Sequence, residues 1–345
     1  MKTLQFSRTF SIFAAAVLAS CSGSQNTASW SPSIAPIGEA RQKGNPARHD
    51  LLYVSSDFNG DVYVFTYPQR RLAGTLTNLN AHASGECVDA SGDVFITTFD
   101  ELQRGKIFEY QHGGTSPVAI LSDPGEAACC AVDPTTGDLA VTNRSDFSSS
   151  NPYPSNGDLA IYPGAQGTPQ MHYNDSTVFR AFGFCGYDNQ GSLYISADDS
   201  LDPGDGLLLH FETGSDSFSV VNVNEPLYGA LSVQWDGTYL TVASASDSQG
   251  RGPISVDRLS ISGSAATVVG TTTLVAMKSG PQSWIQGQTI IGVNGNNQRS
   301  RDVSFWLYPG GGSHRQFIKN VGQGLFGVTV SLASPARSSA RPTAM

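Results

Sequence analysis

Glu86, Asn143, Asp198 and Asn294 carry the carboxylate and amide oxygens with which proteins hold a hard divalent cation. A Ca²⁺ or Zn²⁺ held by such a set polarises a carbonyl and activates water, which is the chemistry of metal-assisted hydrolysis. Such a site also needs a general base within reach. His82, Arg144 and Arg180 are further polar candidates for the same face of the molecule. Asn and Asp are equally the ordinary residues of loops, because they tolerate left-handed backbone and bond to their own main chain. Convergence in space therefore decides the matter, not residue type.

Other chemistries find less support. A histidine-ligated zinc site needs several imidazoles around one point. Of His49, His82, His112, His172, His210 and His314, only His82 falls on that face. No G-x-S-x-G elbow joins a strand to a helix, and no P-loop or dinucleotide fingerprint is present. The acidic stretch "ADDSLDPGDG" (197–206) could wrap Ca²⁺, but its spacing is not that of an EF-hand loop. It reads as a solvated insertion. Trp235, Trp284 and Trp306 occupy strand positions and read as core.

The elements that must position these residues repeat. "LLYVSSD" (51–57), "DVFITTF" (93–99), "DLAVTNR" (138–144), "SLYISAD" (192–198), "TYLTVAS" (238–244) and "QTIIGVN" (288–294) start 42 to 54 residues apart. Each alternates apolar with small or polar residues, as a strand with two different faces does. Five are preceded by a short strand ending at a turn, such as "GECVD" and "CCAVD", and all are followed by two more strands. Four antiparallel strands repeated at this period predict an all-β chain, a six-bladed β-propeller of four-stranded blades. The first repeat lacks its opening strand, and "GLFGVTVSLA" (324–333) is a spare strand. Pairing the two would close the ring. In this arrangement Asp89 and Asp133 end the inner strands as turn residues. They fall on the face opposite the candidates above, and ligands are expected on the candidates' face, over the central channel.

The phrases "GECVDASGDVFIT" and "CCAVDPTTGDLAVT" resemble NHL-type repeats and the six-bladed propellers of the gluconolactonase and strictosidine-synthase-like superfamily. With "FCGYDNQGSLYIS", "VQWDGTYLTV" and "HGGTSPVAILSDPG", the region from 51 to about 332 is most similar to bacterial exported propeller lipoproteins. The gluconolactonase likeness implies a lactonase with one Ca²⁺ or Zn²⁺ in the channel. The exported-propeller likeness implies the architecture and no activity.

The mature domain holds Cys87, Cys129, Cys130 and Cys185, all in the opening strands of three consecutive repeats. Counted back from Asp89, Asp133 and Asp188, Cys87 stands at −2, Cys129 at −4, and Cys130 and Cys185 at −3. Matching parity would pair Cys87 with Cys129 and Cys130 with Cys185 as two disulfides, suited to an exported protein. Four buried thiols are the alternative.

Residues 1–20 read as a signal peptide: Lys2 and Arg8, then the apolar "TFSIFAAAVLA", too short for a permanent span. Leu18-Ala19-Ser20-Cys21 resembles a lipobox, which implies acylation of Cys21, and Ser22 after it favours the outer membrane or cell surface. Residues 21–50 read as a flexible tether, 51–333 as the propeller and 334–345 as a disordered tail. Loss of Lys2 and Arg8 with the signal shifts the formal charge from −9 to −11, which disfavours nucleic acid as a partner. The reading favoured is a monomeric, non-catalytic lipoprotein of the cell envelope that presents loops to a protein or polymer. A metal-dependent hydrolase or lactonase is the alternative.

Overall fold

In the computed structural model the phrase beginning at Asp89 is a tight turn, and the same turn recurs along the chain. Asp89 Oδ1 accepts hydrogen bonds from the Ser91 and Asp93 amides at 2.9 and 2.8 Å. Asp133 Oδ1 accepts from the Thr135 amide and hydroxyl, both at 2.7 Å. Asp188 and Asp236 do the same for Gln190 and Ser192, and for Thr238 and Tyr239. Gly92 and Gly137 follow at φ +88° and +79°, where a side chain would be strained. Asp89 and Asp133 are turn residues.

The structure describes residues 33–34, 46–202, 204–212, 214, 217–229, 231–249, 252–277, 281–294 and 301–333. Residues 1–20 (read as a signal peptide), Cys21 and the tail 334–345 lie outside the described residues, as does most of the segment 21–50 read as a tether. Among the described residues two short 3-10 segments, Pro46–Arg48 and Pro163–Ala165, are the only helical turns; everything else regular is strand.

The strands form successive antiparallel units, each running from an inner strand outward. One unit orders His82–Val88, Val94–Phe99, Gly105–Tyr110 and Ala119–Asp123. The next orders Ala127–Val132, Leu139–Asn143, Asp158–Tyr162 and Gln170–Tyr173. Later units open with Cys185–Tyr187, Val233–Trp235 and Ser283–Gln286. The first unit opens at Asp50–Ser56 without an inner strand of its own. The C-terminal strand Leu325–Ser331 takes that place, pairing antiparallel from Leu51↔Ser331 to Val54↔Val328.

Because the units stack face to face, the apolar residues of each strand face go to one neighbour and those of the other face to the next. Leu51, Tyr53 and Val64 of the first unit bury against Ala83, Ile96 and Phe108 of the second. Phe95 and Ile107 on the second unit's other face bury against Leu139, Val141 and Ala160 of the third. The core is thus a series of thin layers between sheets, not one central mass.

The inner strands touch where their residues are small. A Cβ on Gly85 would lie 2.6 Å from the Ala128 carbonyl oxygen and 2.8 Å from the Cys129 Cα. One on Gly327 would lie 2.4 Å from the Ser84 carbonyl oxygen. Gly85→Ala should therefore cost about 1–3 kcal/mol, the usual penalty of forcing atoms into a packed core. Urea denaturation of the propeller domain measures it, and an unchanged midpoint would mean that these strands can part freely.

Candidate functional site

Hydroxyl and amide side chains stitch the inner strands together around the channel. Thr142 Oγ1 donates to the Gly183 carbonyl at 2.6 Å, and the Ser232 and Ser283 hydroxyls meet at 2.8 Å. Gln234 pairs with both main-chain groups of Ile285, donating to the carbonyl at 3.1 Å and accepting from the amide at 2.7 Å. Gln282 reaches from the last unit to the second. Its Nε2 donates to the Glu86 carbonyl at 2.7 Å, and its Oε1 accepts from the Glu86 and Val328 amides at 3.0 and 3.2 Å. These glutamines satisfy main-chain groups on the free edges of inner strands.

A cavity of about 740 Å³ opens on the face of the Asp89 and Asp133 turns. Residues from Cys185 to Tyr187, from Val233 to Trp235 and from Gln282 to Trp284 line its channel end. It continues outward as a groove between the second and third units, over Ala90, Ser91 and Glu109 on one side and Pro134, Thr136 and Gln166 on the other. Trp235 and Trp284 are half-buried at this cavity, whereas Trp306 is fully buried core. Trp235 and Trp284 pack against the core layers of their units as well as lining the cavity, so all three tryptophans contribute to the core, Trp306 wholly.

The Cys87–Cys130 disulfide lines the same cavity, with its Cα atoms 5.6 Å apart. Cys129 and Cys185 are buried free thiols. The pairing expected from matched parity is therefore corrected. Two stacked sheets meet through opposite faces, so a bridge between neighbours needs one residue of each parity. Cys87, at an even position, faces forward onto the third unit, and Cys130, at an odd one, faces back. Cys129 and Cys185 obey the same rule one interface further on, with the Cys129 Sγ 4.0 Å from the Cys185 carbonyl oxygen. Burial, and then the neighbouring Cys129, push the Cys185 thiol well up, so it is not a reactive thiolate.

The candidate residues of the far face do not converge on one point. His82, Arg144, Arg180 and Asp198 come together there as a charged network. His82 lies 3.3 Å from the Asp57 carboxylate and 3.8 Å from that of Glu101, and stacks on Phe99 at 4.5 Å between ring centroids. Arg144 pairs with Glu126 at 3.2 Å, and its guanidinium lies 6.0 Å from the Phe326 ring centroid. Burial raises the Asp198 carboxyl, opposed by the charges of Arg144 and Arg180. Burial likewise raises Asp57, opposed by His82 and Arg144. Arg144 thus interacts with groups of several units on the far face, and the open cavity lies on the turn face.

Glu86 is fully buried, and burial pushes its carboxyl well above the usual range against a smaller pull from the Thr329 main chain. Asn143 sits in a buried acidic cluster between the second and third units. Its Nδ2 donates to Asp123 at 2.7 Å and to Asp158 at 2.8 Å, and Tyr162 donates to Asp123 at 2.7 Å. Burial raises Asp123 to about 6 and Asp158 to about 8. Asn294 ends a strand opposite Asp302, and its side chain lies outside the described residues. In "ADDSLDPGDG", Asp199 caps its own turn, accepting from the Leu201 amide at 2.7 Å. Among the described residues no three His, Cys, Asp or Glu side chains form a group that could hold a metal ion.

The turn-face cavity was not legible from residue types. The signal that could have found it is the residue just before each turn aspartate, which is Val in the second and third units but Tyr187 and Trp235 in the next two. Large rings there stand at the channel mouth.

No family model matches the chain, and no curated protein matches it. In three dimensions it is similar to TolB from Acinetobacter baumannii, with a TM-score of 0.55 at 12% identity over 84% of this chain and 67% of that one. It is also similar to the Cps50 (Swd1) β-propeller domain of Myceliophteria thermophila, at TM-score 0.50 and 11% identity, over 86% and 88% of the two chains. A protein of unknown function from Bacteroides caccae gives TM-score 0.50 at 8% identity, over 82% and 99%. The chain has a β-propeller fold.

Proposed function

We propose that the chain is a non-catalytic, six-bladed β-propeller lipoprotein of the cell envelope, and that its turn-face cavity is where it binds a ligand. The NHL and gluconolactonase-like wording of the repeats supports six blades, as does the C-terminal strand in the place of the missing inner strand. The observation that carries the binding reading is how the cavity's polar groups are used. The Asp89 and Asp133 carboxylates hold turns, and Gln234 and Gln282 hold main-chain edges. What faces a ligand is aromatic surface with fixed charge, which suits recognition and offers no paired nucleophile and base.

The anchoring half of the proposal predicts that Cys21→Ser moves the protein from the membrane fraction to the soluble fraction. Mass spectrometry of the native protein should find an acylated Cys21 at the mature N-terminus. An intact, unprocessed leader would overturn it. The non-catalytic half is tested by metal analysis and lactone hydrolysis on the purified domain. Stoichiometric Ca²⁺ or Zn²⁺, lost together with lactonase activity in Glu86→Ala and Asn143→Ala, would replace this reading with the hydrolase.

A further inference from the structure

The charge of the turn-face cavity is one-sided. Among the described residues Asp89, Glu109 and Asp133 line it and no Lys, Arg or His does; Glu86 lines it too, but its burial favours the uncharged carboxyl. Among the described residues the acids at its rim form no ion pair: Asp89 and Asp133 bond to amides and a hydroxyl. Asp93 lies behind Asp89, and both add their charge to Glu109. The basic side chain acting on this group is His112, which faces Asp93 and bonds to the Ser331 hydroxyl and the His49 carbonyl, away from the cavity wall.

At the channel end the same cavity carries the half-buried rings of Tyr187, Trp235 and Trp284. Indole and phenol faces carry partial negative charge, so a cation within about 6 Å of a ring centroid is attracted, the more so as it is desolvated. Aromatic walls and uncompensated carboxylates favour the same ligand charge. The shape adds a second constraint. A channel mouth that runs into a groove between two units accepts an unbranched chain more readily than a compact molecule.

Resting on the binding reading above, we infer that the turn-face cavity takes an alkylammonium ligand, with one cationic group against the channel-mouth aromatics and the remaining chain along the groove past Asp89 and Glu109. The ammonium groups belong either to a free linear polyamine or to lysine side chains of a polypeptide. The chemistry of recognition is the same for both.

The test is calorimetric titration of the mature domain, disulfide intact, with five probes: hexylammonium, spermidine, a tetralysine peptide, hexanoate and hexane-1,6-diol. The cationic probes should bind, spermidine or tetralysine at least tenfold more tightly than hexylammonium, and the tighter of the two names the source. Binding should weaken as salt is raised. Trp235→Ala should lower affinity about tenfold. Asp89→Asn keeps an oxygen that can cap the same turn, so it should fold while weakening binding several-fold and flattening the salt dependence. Equal binding of hexanoate or the diol would overturn the charge inference while leaving the cavity as a binding site. No binding by any ammonium probe would overturn the inference outright. Cation binding that survives both substitutions would place the ligand elsewhere and overturn it as well.

Discussion

Raising the pH from about 5 to about 9 lowers the unfolding free energy of the propeller domain, and Asp158→Asn removes most of the loss above neutrality. The cause is the cluster around Asn143, in which Asp123, Asp146 and Asp158 are all buried and bond only to amides, hydroxyls and one another. Burial raises Asp123 to about 6 and Asp158 to about 8, each from 3.8. A carboxyl whose pKa is raised on folding contributes stability that is fully present below about pH 4. That contribution is lost as pH rises through the folded values, here about 6 and then about 8. A tenfold change in proton affinity corresponds to about 1.4 kcal/mol, so Asp158 alone accounts for a loss on the order of 3 kcal/mol after the cluster relaxes.

Asn at position 158 has the shape of a protonated Asp. It can still accept from Asn143, and it donates towards Asp146 as the protonated acid does; only the 3.2 Å bond from Asn151 is given up. Denaturant midpoints across the pH range measure the effect. A variant whose stability falls as steeply above pH 7 as that of the native chain would show that Asp158 does not hold its proton.

The parts of the molecule that were legible in the sequence are those built from neighbours in sequence. An aspartate that caps the amides two and four residues on, a glycine at positive φ and an alternating strand are local, and they recur. The repeat therefore announced the propeller, and the spare strand at 324–333 announced its place beside Asp50–Ser56. What was not legible depends on contacts between units. Parity along one strand says which side chains share a face, but the Cys87–Cys130 bond depends on two faces meeting, which reverses the rule. The open end of the channel is decided likewise by distant residues. Arg144 interacts on the far face with Glu126, Asp198 and the Phe326 ring, and Gly85 and Gly327 let inner strands close up. Propeller strand order, not contacts, placed the ligand on that face. Glu86 and Asn143 were chosen for their oxygens, and burial gives those oxygens to the interior.

Replacing Cys87 and Cys130 together by alanine costs about 4 kcal/mol of stability and loosens the cavity floor. The bond closes a loop of 43 residues, and the chain-entropy account of such a closure gives about 4 kcal/mol, a figure that depends on that account. Small alanines in the packed layer of Phe95, Leu139 and Tyr162 add a cavity term, so the stability loss should not fall below about 2 kcal/mol. The second consequence separates a structural staple from a functional one. The disulfide joins the inner strands of the second and third units, and the groove runs between those same units. If it sets the groove's width, the double variant should bind spermidine more weakly at temperatures where it is fully folded, with a larger entropic penalty in calorimetry. Substituting the buried thiols Cys129 and Cys185, one interface away, should leave spermidine affinity unchanged. Equal affinity in both double variants would confine the bond to a stabilising role. A loss of affinity in the Cys129 and Cys185 variant alone would place the ligand at the next interface round the channel.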